Sequence, residues 1–350
     1  MQTAIEKVLH LARGNVKRYP AEKMKWMWGE ALWLYALSLL DEAFGTAAFR
    51  PYLQAYYDTK LDTGYRVCSS DTCAPALGAY QLTKTPGGEK YGSIVDRVLR
   101  YFAQSEKVIG DMPNHLGNGF EHWFYPKSVW VDSIMMYGVL LNRIAAETEN
   151  AQLAAFAAGQ PQKFADLLQD PDTGLFWHAY WTKFGFHYPR QALFWGRGNG
   201  WVMAAVPLMW DYIQEDAQRA VIQAFFLKLA RALLPLQRAD GWFETILLPQ
   251  CGAYKESSAT MLIAAGWFFG VRMGWLGTEY LEAAQRAFTA VTDSFVLRDG
   301  LLSMPHISGP TSAIQGIPKL VYTHTPCGND WHYGLAAAVF AALEYKKLAE

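Results

Sequence analysis

The sequence predicts an all-α protein, a closed (α/α)6 barrel of six helical hairpins with long loops gathered on one face. Three observations predict it. Apolar residues recur with the helical period in about twelve segments, and few stretches show strand-like alternation. Short and long connections between those segments largely alternate. Helices that are apolar all round are paired with helices that keep one wet face.

The expected helices run near 2–18, 26–43, 46–58, 72–84, 90–108, 128–147, 150–169, 198–213, 216–237, 256–273, 278–296 and 332–348. Tight connections join 43 to 46, 147 to 150, 213 to 216 and 273 to 278. Long connections rich in Gly and aromatics occupy 109–127, 170–197, 238–255 and 297–331. Loops of that length in a compact chain are usually functional. Tyr- or Thr-rich pieces near 174–188, 242–248 and 319–325 read as short hairpins within them. Glu149–Leu168 and Thr278–Val296 mix small and charged residues, as outer helices do. Trp26–Leu40 and Ser257–Val271 are nearly all apolar, as inner helices covered on every side must be. No motif repeats at a fixed period from pair to pair, which argues against a solenoid. With no linker or low-complexity stretch, residues 1–350 read as a single catalytic domain.

Composition narrows the function. The 31 basic and 32 acidic residues are interspersed, with no basic arm or stripe, which argues against nucleic acid. No apolar run reaches a membrane span; stretches such as Ala259–Val271 are too short. Glu6, Lys7 and His10 break the apolar start, so no signal peptide is expected. Cys68, Cys73, Cys251 and Cys327 lack CxxC spacing and read as reduced thiols, and the expected location is cytoplasmic. The histidines at 115, 122, 306, 324 and 332 are scattered, without HExxH spacing; no metal and no cofactor are expected. There is no GxSxG and no P-loop. The 14 Trp in a chain that is 15 % aromatic suit either a large helical core or a cleft that stacks rings on sugars.

Polar–aromatic clusters open several of the expected inner helices. Residues 119–132 read GFEHWFYPKSVWVD, and Asp132 sits among Trp130, Val131, Ile134, Met135 and Met136. A carboxyl group buried there has a raised pKa, as a general acid needs; a plain helix-start Asp is the other reading. Residues 195–201 read WGRGNGW, with Arg197 between Trp195 and Trp201. Such an Arg grips a carboxylate with both arms or stacks structurally on the rings. His178 closes DTGLFWH, and Asp71 opens a helix after Ser69 and Ser70, where it suits a cap or a site. Glu244 in DGWFET and Glu256 in YKESSAT are candidate site carboxylates, or Glu256 caps the helix behind it. GNDWHY opens the last helix. Clusters of this kind on one rim make a ligand site.

The run Gly119-Phe120-Glu121-His122-Trp123, then Trp130-Val131-Asp132, His178, the Trp195–Trp201 segment and Glu256-Ser257-Ser258-Ala259-Thr260 together resemble glycoside hydrolase family 105. These are the unsaturated rhamnogalacturonyl hydrolases, related to the family 88 unsaturated glucuronyl hydrolases. The resemblance runs from about residue 25 to the C-terminus. It implies an (α/α)6 barrel and a small oligosaccharide substrate, an unsaturated uronyl disaccharide left by polysaccharide lyases, with galacturonyl-rhamnose as the default. It implies hydration of the C4=C5 double bond rather than direct cleavage of the glycosidic bond. It assigns proton donation to Asp132 and assistance of the water to Asp71. His122, His178, Arg197 and Trp201 match the substrate pocket, with Trp130 and Trp195 expected beside them. Two rivals stand against this: an inverting glycosidase on the same barrel, with paired carboxylates, and a non-catalytic glycan-binding protein. Nothing in the sequence sets the oligomeric state.

Overall fold

The structure, a computed structural model, describes residues 3–248, 251–311, 313 and 317–350, and omits the side chain of Glu121 from the GFEHW motif. The expected helix 2–18 therefore starts, in description, at its cap. Thr3 accepts from the Glu6 N–H and Glu6 accepts from the Thr3 N–H, a reciprocal cap that opens α1 (Ala4–Arg18).

The helices that follow are α2 (Trp28–Ala43), α3 (Arg50–Thr63), the short α4 (Ser70–Cys73) with α5 (Ala76–Thr83), α6 (Gly92–Gln104), α7 (Val139–Glu147), α8 (Ala151–Leu168), α9 (Gly196–Met209), α10 (Asp216–Leu233), α11 (Ser257–Arg272), α12 (Thr278–Asp293), α13 (Pro318–His324) and α14 (His332–Ala349). Two-stranded ribbons are formed by β1 (Lys107–Ile109) with β2 (Met112–Pro113). A three-stranded sheet runs β3 (Ser128–Trp130), β4 (Ala179–Trp181), β5 (Phe186–Tyr188). Further ribbons pair β6 (Val296–Arg298) with β7 (Leu301–Ser303), and β8 (Ile307–Ser308) with β9 (Cys327–Gly328).

Packing closes the helices into a ring. α2 meets α5, α4 meets the turn before α7, α7 meets α9, α9 meets α11, α11 meets α14, and α14 returns to α2. Outside it, α3 lies on α2 and α5, α6 on α5, α8 on α7, α10 on α8 and α9, α12 on α11, and α1 on α12 and α14. Burial separates the layers as hydropathy requires. Nearly every residue of α9 and α11 is buried, including Trp201 and Trp267. α12 buries only the stripe Tyr280, Ala283, Ala284, Ala287, Phe288 and Val291, spaced as one face of a helix. Each large apolar side chain so buried stabilises the barrel by about 2–3 kcal/mol.

The expected elements are corrected in three places. Residues 128–130 are a strand rather than the start of a helix, because they pair with β4; the helix begins after Asp132, first as one π turn over Ile134–Gly138. Residues 319–325 are mostly helical rather than a hairpin, since Pro318 sits in the first turn, where its missing N–H costs nothing. Residues 242–248 make only the isolated bridges Trp195–Ile246 and Glu244–Lys255. The hairpin expected near 174–188 forms as β4 and β5.

Candidate active site

The N-terminal ends of the inner helices converge, and the sheet and loops around them build the site. Strand pairing does the first step. Trp130 pairs with Ala179, and the Val131 N–H donates to the His178 carbonyl at 2.9 Å. That register sets His178 beside Asp132, with His178 Nε2 3.7 Å from Asp132 Oδ2. Both atoms are buried and neither has a hydrogen-bond partner. The π turn follows directly, with Met135 and Met136 N–H both donating to the Asp132 carbonyl. Turns of this kind are frequent at functional sites because they displace side chains from the helical register.

Burial pushes the Asp132 carboxyl up to about 6; the Arg197 charge, a main-chain hydrogen bond and the Trp201 indole pull the other way and lose. Burial drives His178 well below its ordinary value, helped by His115 and Arg197, so its imidazole is neutral. Its Nδ1 lies 2.8 Å from the Tyr322 hydroxyl of α13. Trp195 lies over the ring at 4.4 Å and Trp130 presents its edge at 5.0 Å.

On the other side of Trp130 stands a second pair. His115 stacks on Trp130 at 4.7 Å and 10°. Its Nδ1 lies 2.8 Å from the Ser133 hydroxyl, which itself donates to Ser70 at 3.2 Å. Its Nε2 lies 3.6 Å from Asp71 Oδ1. Burial lowers the His115 pKa to about 3, so this ring is neutral too. Asp71 is partly exposed on α4, whose cap is supplied by Ser69. Asp71 stands at the site beside His115.

Arg197 corrects an expectation. It is fully buried between Trp195 at 4.6 Å and Tyr333 at 4.8 Å, as the stacking reading has it. Its terminal nitrogens donate to the Ser308 and Gly309 carbonyls at 2.9 and 2.8 Å, with Thr311 Oγ1 at 3.3 Å. The two-armed grip therefore holds main chain and not a ligand carboxylate. Glu256 is the counterpart. It is fully buried, accepts from Ser258 and Ala259 N–H as the cap of α11, and accepts from the Ser308 N–H at 2.9 Å. Of its two readings the cap holds. Glu244 pairs with Arg238 at 2.5 Å. Glycine is needed at 196, where a Cβ would stand 2.5 Å from the Glu244 carbonyl, and at 200, where it would stand 2.9 Å from Leu262 Cβ.

His122 is not brought to Asp132. It sits half-buried on the 3-10 turn Phe120–Trp123, with Nδ1 3.0 Å from the Gly119 carbonyl and its ring on exposed Trp123. The histidine next to the site is His115, and the tyrosine is Tyr322; neither was singled out in the sequence. His115 gave one signal, its place shortly before the WVD segment. Tyr322 gave none, because 144 residues separate it from His178.

Comparison with known proteins identifies the family and the fold. The model of Glycosyl Hydrolase Family 88 matches residues 4–349. The unsaturated rhamnogalacturonyl hydrolase YesR of Bacillus subtilis is 26% identical over 98% of this chain and 96% of its own. An unsaturated 3S-rhamnoglycuronyl hydrolase of Formosa agariphila is 26% identical over 63% of this chain and 58% of its own. Among solved structures, a possible family 105 member from Salmonella enterica superposes with TM-score 0.86 at 19% identity, covering 100% of this chain and 96% of that one. A family 105 glycoside hydrolase from C. acetobutylicum gives 0.85 at 20% identity, covering 97% and 99%.

Proposed function

The chain belongs to Glycosyl Hydrolase Family 88, and from that premise we propose that it hydrolyses unsaturated uronyl saccharides by hydrating their C4=C5 double bond, with Asp132 as proton donor. The observation that carries the residue assignment is the Asp132 carboxyl itself, buried, raised to about 6 and facing a neutral imidazole. Such a group keeps its proton up to about pH 6, far above an ordinary carboxyl, and can give it away.

The chemistry follows from the substrate. The C4=C5 bond is an enol ether, electron-rich at C4. Transfer of the Asp132 proton to C4 leaves an oxocarbenium-like centre at C5 and a carboxylate at 132. Water adds at C5 and loses a proton, which restores the acid. The product is a hemiketal at C5; it opens, and the partner sugar leaves. Asp71, with His115 at 3.6 Å, is suited to orient the water. Trp130 and Trp195 shape the pocket walls, and Trp201 lies fully buried beside Asp132. Arg197 contributes its positive charge from behind the wall while its donors fix residues 308–311.

The default substrate is unsaturated galacturonyl-rhamnose from pectin, taken from the YesR relative and the sequence resemblance. Residues 1–350 act as one catalytic domain, on a small oligosaccharide, in the cytoplasm. Among the described residues, no helix is long and apolar enough to cross a membrane. The test is a panel of lyase-generated unsaturated disaccharides, followed by loss of the alkene's ultraviolet absorbance. The proposal expects turnover by wild type and a loss of roughly 10²–10⁴-fold in Asp132→Asn, the usual contribution of a general acid. Cleavage of saturated glycosides alone would show the inverting mechanism instead.

A further inference from the structure

We propose that Tyr322 is a positioning residue that fixes which nitrogen of His178 carries the proton, and thereby directs the Asp132 proton to the substrate rather than to the imidazole. The inference rests on Asp132 being the proton donor.

The geometry leaves His178 one degree of freedom. Its main chain is pinned by Val131, and its ring is held between Trp195 and Trp130, so it cannot turn over without displacing an indole. What remains is the position of one proton on a neutral ring. Nδ1 meets the Tyr322 hydroxyl at 2.8 Å, and Nε2 meets Asp132 Oδ2 at 3.7 Å with no other partner. The Tyr322 hydroxyl is fully buried, and burial raises its pKa well above the usual value, so it stays protonated. A buried hydroxyl must donate, and Nδ1 is the acceptor it meets. Nδ1 then has no proton, and Nε2–H points toward Asp132.

The alternative tautomer would do harm. A bare Nε2 opposite a protonated carboxyl is an acceptor, and the acid would spend its proton on that hydrogen bond. With Nε2–H in place, the carboxyl has no acceptor on that side. The same N–H then stabilises the carboxylate that appears when the proton has moved to C4. No net charge is added, since the imidazole stays neutral throughout.

The other ionisable groups around the pair leave this logic intact. From α9 comes Arg197, which favours the carboxylate and disfavours a charged His178. From the loop before β3 comes His115, neutral at working pH and paired with Asp71. From β5 comes Tyr188, 6.1 Å from the His178 ring, kept protonated by burial. None of these is a base on Nδ1.

The test reads the tautomer first, without substrate. Wild-type protein is labelled with 15N-histidine, and long-range 1H–15N correlations are recorded from pH 5 to 8, His178 being assigned by its loss in His178→Asn. The expected pattern is a protonated Nε2 and a bare Nδ1. Tyr322→Phe removes the donor; the pattern changes, kcat falls roughly tenfold to a hundredfold with KM little changed, and the basic limb of the pH profile moves upward, because a bare Nε2 favours the protonated acid. A bare Nε2 in wild type overturns the proposal, and so does a Tyr322→Phe enzyme that keeps both the Nε2–H signal and the wild-type pH limb. The first readout needs only wild type, so a variant that fails to fold does not remove it. Failure of the functional reading looks different: Nε2–H is seen, yet no unsaturated disaccharide is turned over.

Discussion

At the scale of single residues, the position of each proton decides what the site can do. The folded pKa of Asp132 is about 6 against an ordinary 3.8, so the folded state binds its proton more tightly than the unfolded chain does. Its contribution to stability is therefore intact below pH 4 and is lost as pH rises through 6. Asp132→Asn abolishes that loss. It is expected to be more stable than wild type at pH 8 by on the order of 2–3 kcal/mol, with the gap closing near pH 4. Thermal unfolding at both pH values checks it; a gap independent of pH would contradict the burial argument. Arg197→Lys should cost about 2–4 kcal/mol, since Lys cannot reach two carbonyls or fill the space between two rings. Chemical denaturation measures this. Asp132 and Trp195 stand out in the sequence because each sits in a polar–aromatic run at a helix entrance, and His178 because its aromatic run leads into β4. Tyr322 does not, since its role comes from a distant strand and helix meeting in space. The 3-10 turn of His122 carries it outward, and His115 takes the position near Asp71, a placement that no local pattern encodes.

At the scale of elements, the site depends on one register and one close contact. The β3–β4 pairing fixes His178 opposite Asp132, and a slip by one residue would turn every side chain to the other face. That strand hides in the sequence because three residues of Ser-Val-Trp continue smoothly into an apolar helix. The WGRGNGW glycines are the legible counterpart. α9 approaches α11 closely at Gly200, where a methyl group would meet Leu262 at 2.9 Å. Gly200→Ala is expected to cost about 1–3 kcal/mol through overpacking and to lower activity by shifting α9 and its Arg197. Measuring unfolding and turnover together checks it; unchanged stability would show that α9 and α11 yield more easily than the packing suggests.

At the scale of the whole molecule, alternating short and long connections foretold a ring, and hydropathy foretold its two layers. What sequence left open was how the ring is braced. Arg18 at the end of α1 donates to Asp330 at 2.6 Å and to the Arg298 and Leu301 carbonyls, tying the first helix to the last long loop. Asp330 in turn accepts from Ser303 and the Met304 N–H. Arg18→Ala leaves that carboxylate buried without its cation, an expected loss of about 3–5 kcal/mol with faster amide exchange around 298–304. Partners 312 positions apart give no local signal.

The most direct check of the central claim is the fate of a proton at C4. Wild-type enzyme is incubated with an unsaturated uronyl disaccharide in deuterium oxide, and the product is examined by mass spectrometry and NMR. If Asp132 delivers its proton to the alkene, one deuterium appears on C4 of the opened uronate, and Asp132→Asn forms this product far more slowly. A product released with its double bond intact and no deuterium at C4, or an Asp132→Asn enzyme as fast as wild type, would contradict it.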